Sequence, residues 1–359
     1  MAYTRRKVLT LIAGGVAGSA GCYASFQGRN QGVETERVPE PQRLRWRYRA
    51  DGRVGTAVRS RYGHLYAGSA DNHLYALAPA DGSLNWKFAT NGEIWSSPEI
   101  AANTIYFGSR DTNIYAVTPD GTERWHFETD DQITSNPTVK NGTLYVGSLD
   151  GHLYAIDPDT GEKQWSYMTQ NSVGAGPVVH DGTVYIGSSD GSFYALDATT
   201  GESLWDFPTE DQIWAGAPVD GERVFVGSGD GKLYALNRHD GSLLWSLETD
   251  LDINSTPIVW NETVYFGNDL GVFYAVNTAT GEVRWQTEKT EGPLNSLPRV
   301  ADGVVYVGDR HGYMRAFDAE TGEQHWAVKT GNAIFSKPYI TDDTVYFGSN
   351  DGYVYAIER

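Results

Sequence analysis

Side chains suited to ligand contact recur along the chain, but their types change at each recurrence. They combine aromatic rings with carboxylate, amide and basic groups, and they are Trp95, Arg110, Asp131, Gln132, Asp211, Gln212, Trp214, Arg310, Phe335 and Lys337. Aromatic faces supply apolar contact area, while a few charged or amide groups fix a ligand's orientation. This composition favours a recognition surface. The alternative is that the same side chains plug a channel and pack against neighbouring loops.

The sequence gives little support for catalysis or for metal binding. Its eight histidines show no paired metal-ligand spacing, so we predict no metal site among them. No glycine-rich phosphate loop opens a helix. Asp157 and Asp159 have part of a calcium-loop spacing, yet the remainder of such a loop is missing and the pair sits in a repeated turn. We therefore predict no catalytic residue.

The charge balance limits the choice of partners. Asp and Glu number 46 against 28 Lys and Arg, which gives a formal net charge of -18 at pH 7. Such a surface repels nucleic-acid phosphates and anionic lipid headgroups. We predict no nucleic-acid partner, and contact with a membrane only through a lipid anchor. The acid excess suits high salt, which screens the repulsion between like charges; a cation-binding surface is the alternative.

The N-terminal residues 1–22 have the pattern of an export signal. Arg5 and Arg6 form a twin-arginine motif, and the apolar run from Val8 to Ala20 is too short to span a membrane as a helix. The run ends at Cys22, the only cysteine, which follows small residues as in a lipoprotein signal. We predict that Cys22 is lipidated and holds the protein on the outer side of the cytoplasmic membrane; otherwise it is a thiol in a discarded signal. Residues 23–41 are polar and aperiodic, which predicts a flexible tether.

Residues 42–359 consist of eight copies of one unit. The clearest marker is a tryptophan that recurs every 39 to 41 residues, at Trp46, Trp86, Trp125, Trp165, Trp205, Trp245, Trp285 and Trp326. Each unit has four short apolar runs separated by turn residues, a pattern typical of propeller blades. The last unit lacks its fourth strand, and a strand around Trp46 precedes the first unit. We therefore predict an all-β, eight-bladed β-propeller, closed by pairing of the N-terminal strand with the C-terminal blade. A seven-bladed WD40 ring is the weaker alternative, because Trp-Asp occurs only at Trp205-Asp206.

The turn before each marker tryptophan resembles a known family motif. Ala155, Asp157, Thr160, Gly161 and Trp165 follow the order A-x-D-x-x-T-G-x-x-x-W, which resembles the tryptophan-docking motif of quinoprotein-type, or PQQ-like, propellers. The resemblance implies that the indole packs between the motif's alanine and glycine and links adjacent blades, and that the aspartate ties the turn together. It therefore assigns the eight marker tryptophans to structure.

Two groups of this family differ in function. Quinoprotein dehydrogenases use a disulfide between neighbouring cysteines and a calcium ion held by Glu, Asn and Asp, whereas this chain has one cysteine, outside the ring. The resemblance to the BamB-like lipoproteins includes the anchor pattern and implies no cofactor. We therefore expect an exported, lipid-anchored, non-catalytic binding or assembly scaffold, a monomer that holds a protein segment or small solute on the loop face. The alternatives are a PQQ-dependent oxidoreductase and a propeller that senses a solute or polysaccharide.

Two further expectations concern the setting of the protein. Sequons at Asn141, Asn254 and Asn261 are compatible with glycosylation outside the cell. The acid excess together with the twin-arginine motif indicates a halophilic archaeon, which has no outer membrane. The outer-membrane barrel-assembly role of the BamB-like lipoproteins is therefore not carried over.

Overall fold

The structure is a computed structural model that describes residues 43–294 and 296–359. The predicted signal, tether and lipidation site at Cys22 lie outside this range. The described residues form 32 strands in eight four-stranded antiparallel sheets, with no helix among them. This is the eight-bladed β-propeller that the repeat predicts. Within these residues there is accordingly no helix long and apolar enough to cross a membrane.

Seven blades use four consecutive strands, and the eighth uses both ends of the chain. Blade one consists of β2 Arg59–Arg61, β3 His64–Gly68, β4 His73–Leu77 and β5 Leu84–Ala89, and blade two of β6 Glu99–Ala101, β7 Thr104–Gly108, β8 Asn113–Val117 and β9 Glu123–Glu128. Blade three consists of β10 Thr138–Lys140, β11 Thr143–Gly147, β12 His152–Ile156 and β13 Lys163–Met168, and blade four of β14 Val178–His180, β15 Thr183–Gly187, β16 Ser192–Asp197 and β17 Ser203–Pro208. Blades five to eight are β18 Val219–Asp220, β19 Arg223–Gly227, β20 Lys232–Asn237, β21 Leu243–Glu248; β22 Ile258–Trp260, β23 Thr263–Gly267, β24 Phe273–Asn277, β25 Val283–Gln286; β26 Arg299–Ala301, β27 Val304–Gly308, β28 Tyr313–Asp318, β29 Gln324–Lys329; and β30 Tyr339–Ile340, β31 Thr344–Gly348, β32 Tyr353–Glu358 with β1 Leu44–Arg49.

The burial of each strand follows from its place in the blade. The second and third strands, such as β11 and β12, are buried on both faces because a neighbouring blade covers each side. The sequences of these two strands are therefore nearly continuous apolar runs. The fourth strand, such as β13, alternates between exposed and half-buried residues, as expected at an outer edge. At the turn between the first two strands, Asn141 and Gly142 adopt φ of 51° and 79°, a conformation that short hairpins require.

The two ends of the chain meet in blade eight. The N-terminal strand β1 pairs antiparallel with β32, with Arg47 opposite Tyr355 and Tyr48 opposite Val354. It fills the fourth position, which the last three strands leave empty. Outside the ladder, the Glu358 N–H donates to the Arg43 carbonyl at 2.7 Å. The sheet of blade eight is therefore held by residues more than 300 positions apart in the sequence.

A tryptophan on the outer strand of each of seven blades packs on the next blade. The Trp165 Nε1–H donates to the Ala198 carbonyl at 3.2 Å, and a Cβ added to Gly201 would lie 2.6 Å from the indole Cε3. The same contact joins the indoles in chain order from Trp46 to Trp285 with Gly82, Gly121, Gly161, Gly201, Gly241, Gly281 and Gly322. We call these positions the docking rim. Trp326 is the exception, because β32 and β1 of blade eight are distant in sequence and no docking turn joins them; Arg43 lies 5.5 Å from its ring centroid instead.

The aspartate of the motif caps its own turn. Oδ1 of Asp157 accepts the N–H groups of Asp159 and Thr160, both at 2.9 Å. These hydrogen bonds, that from the Thr160 N–H first, lower the pKa of Asp157. Asn237 and Asn277 accept equivalent bonds in blades five and six, so the turn forms with a neutral side chain as well.

Candidate functional site

One face of the propeller is built from two kinds of loop in every blade. The loop between the second and third strands donates a backbone hydrogen bond to the loop that enters the blade, for example from Arg110 N–H to the Glu93 carbonyl and from Gly229 N–H to the Gln212 carbonyl, both at 2.9 Å. We call this side the loop face. It is where the copies differ most in sequence.

A buried apolar residue anchors each entering loop and fixes the residue after it at the axis. Ile94, for example, is 1% exposed, and its Cγ2 lies only 2.3 Å from where a Cβ on Gly68 would stand. Only glycine at that position admits the side chain so closely. We call the positions after the anchors the mouth; its described members are Gly55, Trp95, Thr134, Gly174, Trp214, Asn254 and Phe335.

The two tryptophans of the mouth lie over glycines of the preceding blade. Ring carbon Cζ3 of Trp95 is 3.3 Å from the Cβ position of Gly55, and that of Trp214 is 2.5 Å from the Cβ position of Gly174. A side chain on Gly174 would therefore displace the Trp214 ring. Both indoles are half-buried.

The polar residue two positions before each tryptophan fixes the indole. Trp95 Nε1–H donates to the Glu93 carboxylate at 2.7 Å, and Trp214 Nε1–H donates to the Gln212 side-chain oxygen at 2.7 Å. Each ring thus has a satisfied N–H and a fixed orientation, while part of its apolar surface stays accessible. A fixed aromatic surface loses little entropy when it binds a partner.

A charged network surrounds Trp95. Arg110 pairs with Glu93 at 2.9 Å through Nη1 and donates from Nε to Gln132 at 2.5 Å. Arg53 approaches Glu93 to 3.9 Å and lies 5.2 Å from the Trp95 ring centroid. The side chains of these ions are 32% to 43% exposed, so the network faces solvent across blades one to three.

A second network lies in blades six to eight, which follow one another in the ring up to blade one. Arg310 is 3.7 Å from the Asp269 carboxylate and 5.8 Å from the centroid of Phe335. The Asn254 amide also donates to Asp269, at 3.3 Å. The Nε of Arg310 is buried and makes no hydrogen bond with the described residues. The mouth therefore has two cation–aromatic pairs, one between blades one and two and the other between blades seven and eight, on the same side of the ring.

The structure divides the sequence-predicted site residues into three groups. Trp95, Arg110, Gln132, Gln212, Trp214, Arg310 and Phe335 are at the mouth or touch it. Asp131 and Asp211 cap their own loops, each accepting the N–H of the following glutamine at 2.7 Å. Lys337 lies below the mouth, in the strand segment that lines the channel.

Three residues around Trp95 were not among the predicted site residues. Arg53 and Glu93 take part in the first network, and Gly55 carries the Trp95 ring. Aligning the blades on the buried apolar anchor would have identified Arg53, because it occupies the position of Glu93 one blade earlier. No local signal marks Gly55, since its role depends on a side chain forty residues later.

The three sequons lie at two different places. Asn141 and Asn261 are exposed in hairpin turns between first and second strands, on the face opposite the mouth, with φ of 51° and 47°. Asn254 is half-buried at the mouth, where its amide nitrogen donates to Asp269.

The donor set does not fit the calcium site of quinone-dependent dehydrogenases. Among residues 43–294 and 296–359, no three His, Cys, Asp or Glu side chains come together as metal ligands. The charged groups at the mouth alternate in sign and pair with each other instead of converging on one point. We therefore derive no step through a quinone.

Blades six and seven depart from the repeated pattern at a place away from the mouth. β25 has four residues where other outer strands have six, and beside it a cleft of about 700 Å³ is bordered by Lys289, Glu291, Tyr313, Arg315 and Gln324. Arg315 replaces the tyrosine of the other third strands and pairs with the fully buried Asp309 at 2.9 Å. In regular blades the tyrosine hydroxyl donates to an aspartate, as from Tyr194 to Asp190 at 2.9 Å.

Solved structures resemble this propeller over nearly its whole length. BamB from Moraxella catarrhalis matches with a TM-score of 0.76 at 21% identity, covering 87% of this chain and 98% of that one. The computationally designed Ika8 protein matches with a TM-score of 0.80 at 18% identity, covering 88% and 100%. Quinohemoprotein alcohol dehydrogenase from Comamonas testosteroni matches with 0.74 at 15%, covering 88% and 76%. At these identities the likeness concerns the fold alone.

Sequence comparison identifies the family. No curated protein matches the chain. One family profile matches four overlapping segments, residues 5–119, 110–215, 195–302 and 271–359, which together extend over almost the entire sequence. Its description is outer membrane protein assembly factor BamB. The chain therefore belongs to the BamB family of PQQ-like β-propeller proteins.

Proposed function

We propose that this protein is an exported, non-catalytic scaffold that holds a segment of another protein at the mouth and is anchored to the outer side of the cytoplasmic membrane through lipidated Cys22. The observation that carries the proposal is the pair of oriented indoles, Trp95 and Trp214, set over glycines, with a solvent-facing charged network around Trp95. Aromatic anchors beside arginines are the residues that most often dominate protein interfaces.

The residues of the mouth differ from blade to blade, which favours a role in recognition over a role in holding the ring together. Blade packing at the rim uses the same tryptophan and glycine in seven blades, whereas the mouth has Gly, Trp, Thr, Asn and Phe at equivalent positions. The fold does not require any one of these. The family description and the similarity to BamB support a binding role, and the partner proposed here is an extracytoplasmic protein segment.

The test is capture of partners from native membranes by the full-length protein. We expect Trp95→Ala and Trp214→Ala to lose partners that the wild type retains, because each removes an anchor from the mouth. Tyr62→Ala is the matched control, since Tyr62 is an exposed aromatic residue in a hairpin turn on the opposite face. Equal capture by all four proteins would refute the mouth as the binding surface.

Two further measurements separate this proposal from its alternatives. Cys22→Ser should move the protein from the membrane to the soluble fraction and abolish incorporation of a radiolabelled lipid; unchanged membrane association would contradict the anchor. Adding PQQ with Ca²⁺ should produce no cofactor absorption band, no thermal shift and no dye-linked alcohol oxidation. A saturable band with activity would establish the oxidoreductase, and a thermal shift with soluble sugars would favour the sensor.

A further inference from the structure

The axial channel has a level at which equivalent residues of all blades meet. These residues pair with the central aromatic residue of the second strand: Arg59 with Tyr66, Glu99 with Tyr106, Arg299 with Tyr306 and Tyr339 with Tyr346. They belong to blades one, two, seven and eight, which are neighbours in the ring. The corresponding residues of blades three to six are Thr138, Val178, Pro218 and Ile258, so that half of the channel is uncharged.

Basic groups predominate on the charged half. Arg59 donates from Nε to the Pro98 carbonyl at 3.3 Å, and its Nη2 is 3.6 Å from the Glu99 carboxylate. Lys337 stands two residues before Tyr339, between the blades of Arg299 and Arg59. Three cations therefore face one carboxylate, in a chain whose net charge is -18. This local excess of positive charge opposes the trend of the whole molecule.

The titration behaviour of the cluster agrees with an excess of positive charge. Burial, and then the guanidinium groups of Arg59 and Arg299, lower the pKa of Lys337 to about 8, against the opposing effect of Glu99. Burial raises the pKa of Glu99, opposed by Arg59, Lys337 and Arg61. The one acidic neighbour thus does not compensate the cations.

We propose that Arg59, Arg299 and Lys337 form a binding site for a small oxyanion inside the channel. Guanidinium groups offer paired N–H donors that match oxyanion geometry, and an ammonium group adds a compact charge. The site can be reached by solvent, because the Arg59 side chain is 39% exposed and Arg299 is exposed. It goes beyond the proposed partner surface, since it lies below the mouth and uses none of its tryptophans.

Sulfate is the probe, because it stays doubly ionised across the useful pH range. Titration calorimetry of the full-length protein at low ionic strength and pH 7 should show saturable binding of one sulfate. Lys337→Met should weaken it at least about tenfold, as expected for the loss of a charged hydrogen-bond donor, and Glu99→Gln should strengthen it. Lys140→Met is the control, since Lys140 is an exposed cation on the first strand of blade three. Absence of saturable binding, or equal weakening by Lys140→Met, would overturn the proposal.

Proton linkage supplies a readout that nonspecific screening would not give. At pH 8.5 the unliganded Lys337 is mostly neutral, so sulfate binding should take up a proton. The observed binding enthalpy should then depend on the ionisation enthalpy of the buffer, and this dependence should vanish in Lys337→Met. A buffer-independent enthalpy in the wild type would place sulfate elsewhere and refute the site. The other groups of the cluster are Arg59, Arg299 and Glu99, which act on Lys337, together with Arg61 beside Glu99 and Tyr339 two residues along the same blade; comparison with Lys337→Met separates the proton uptake of Lys337 from any uptake by these groups.

Discussion

The docking rim and the mouth are built from the same residue types but differ in how strictly they repeat. At the rim a tryptophan meets a glycine of the next blade in seven places, with indole N–H to carbonyl distances of 2.8 to 3.2 Å. At the mouth a tryptophan lies over a glycine of the preceding blade in two places only. The first arrangement occurs at seven of the eight contacts between blades, and the second is free to vary. Repetition therefore marks what holds the ring together, and its absence marks what can recognise a partner.

The largest effect should come from blade seven, where Arg315 stands in place of the third-strand tyrosine. Arg315→Ala leaves the carboxylate of Asp309, with a side chain 0% exposed, without its cation. We expect a loss of about 3–5 kcal/mol in the free energy of unfolding, measured by denaturant titration. The matched variant is Asp309→Ser, His311→Asp and Arg315→Tyr together, which restores the Ser188, Asp190 and Tyr194 pattern of blade four. It should be as stable as the wild type; if it is not, the pair has a role beyond charge compensation.

The rim and the mouth can be compared directly with one tryptophan from each. Trp165→Ala removes an indole that contacts two blades and should cost roughly 3 kcal/mol in unfolding free energy. Trp95→Ala should cost about 1 kcal/mol, because its ring lies at the solvent-facing mouth. Equal losses in urea titrations would show that the mouth also maintains the ring, and would remove the basis for treating the two regions differently.

A pair of glycines isolates the indole contact from backbone strain. Gly201 and Gly182 both have φ near 75°, at 74° and 77°, but only Gly201 faces an indole. Gly182→Ala should cost about 1 kcal/mol from the left-handed backbone alone. Gly201→Ala adds a clash at 2.6 Å with Trp165, so we expect about 2 kcal/mol or more. Thermal unfolding measures the difference. Equal losses in stability would mean that the Trp165 indole moves aside without an energetic cost.

The smallest effect concerns acid stability of the rim turns. Hydrogen bonds from backbone N–H groups lower the pKa values of Asp157, Asp197 and Asp318, with that from the third residue after each aspartate the largest contribution. Their stabilisation is present above the ordinary carboxyl pKa and is lost as pH falls through the lowered folded-state pKa. Replacing all three by Asn, as at Asn237 and Asn277, should shift the acid-unfolding midpoint to lower pH by tryptophan fluorescence. An unchanged midpoint would assign acid unfolding to other groups.

The regular part of the fold could be predicted because its signals are local and repeated. Each blade has its own turn residues, apolar runs and tryptophan within about forty positions. The same pattern therefore supports the same prediction eight times. The candidate site was predicted less completely. Trp95 and Trp214 stand out as aromatics without a docking role, but their glycine supports belong to other blades, as does the cation beside Trp95.

By itself the sequence determined the number of blades and the turns, because each depends on hydrogen bonding and side-chain alternation within a short segment. It also determined the closure of blade eight, because the repeat lacks one strand in its last unit and has one extra strand before its first. Only the tertiary structure decided that Trp326 lacks the docking glycine, that Arg315 neutralises a buried Asp309, and that Lys337 joins Arg59 and Arg299 in the channel. These outcomes depend on which residues the closed ring brings to the same height, and charges interact through space across blades that are distant in the chain.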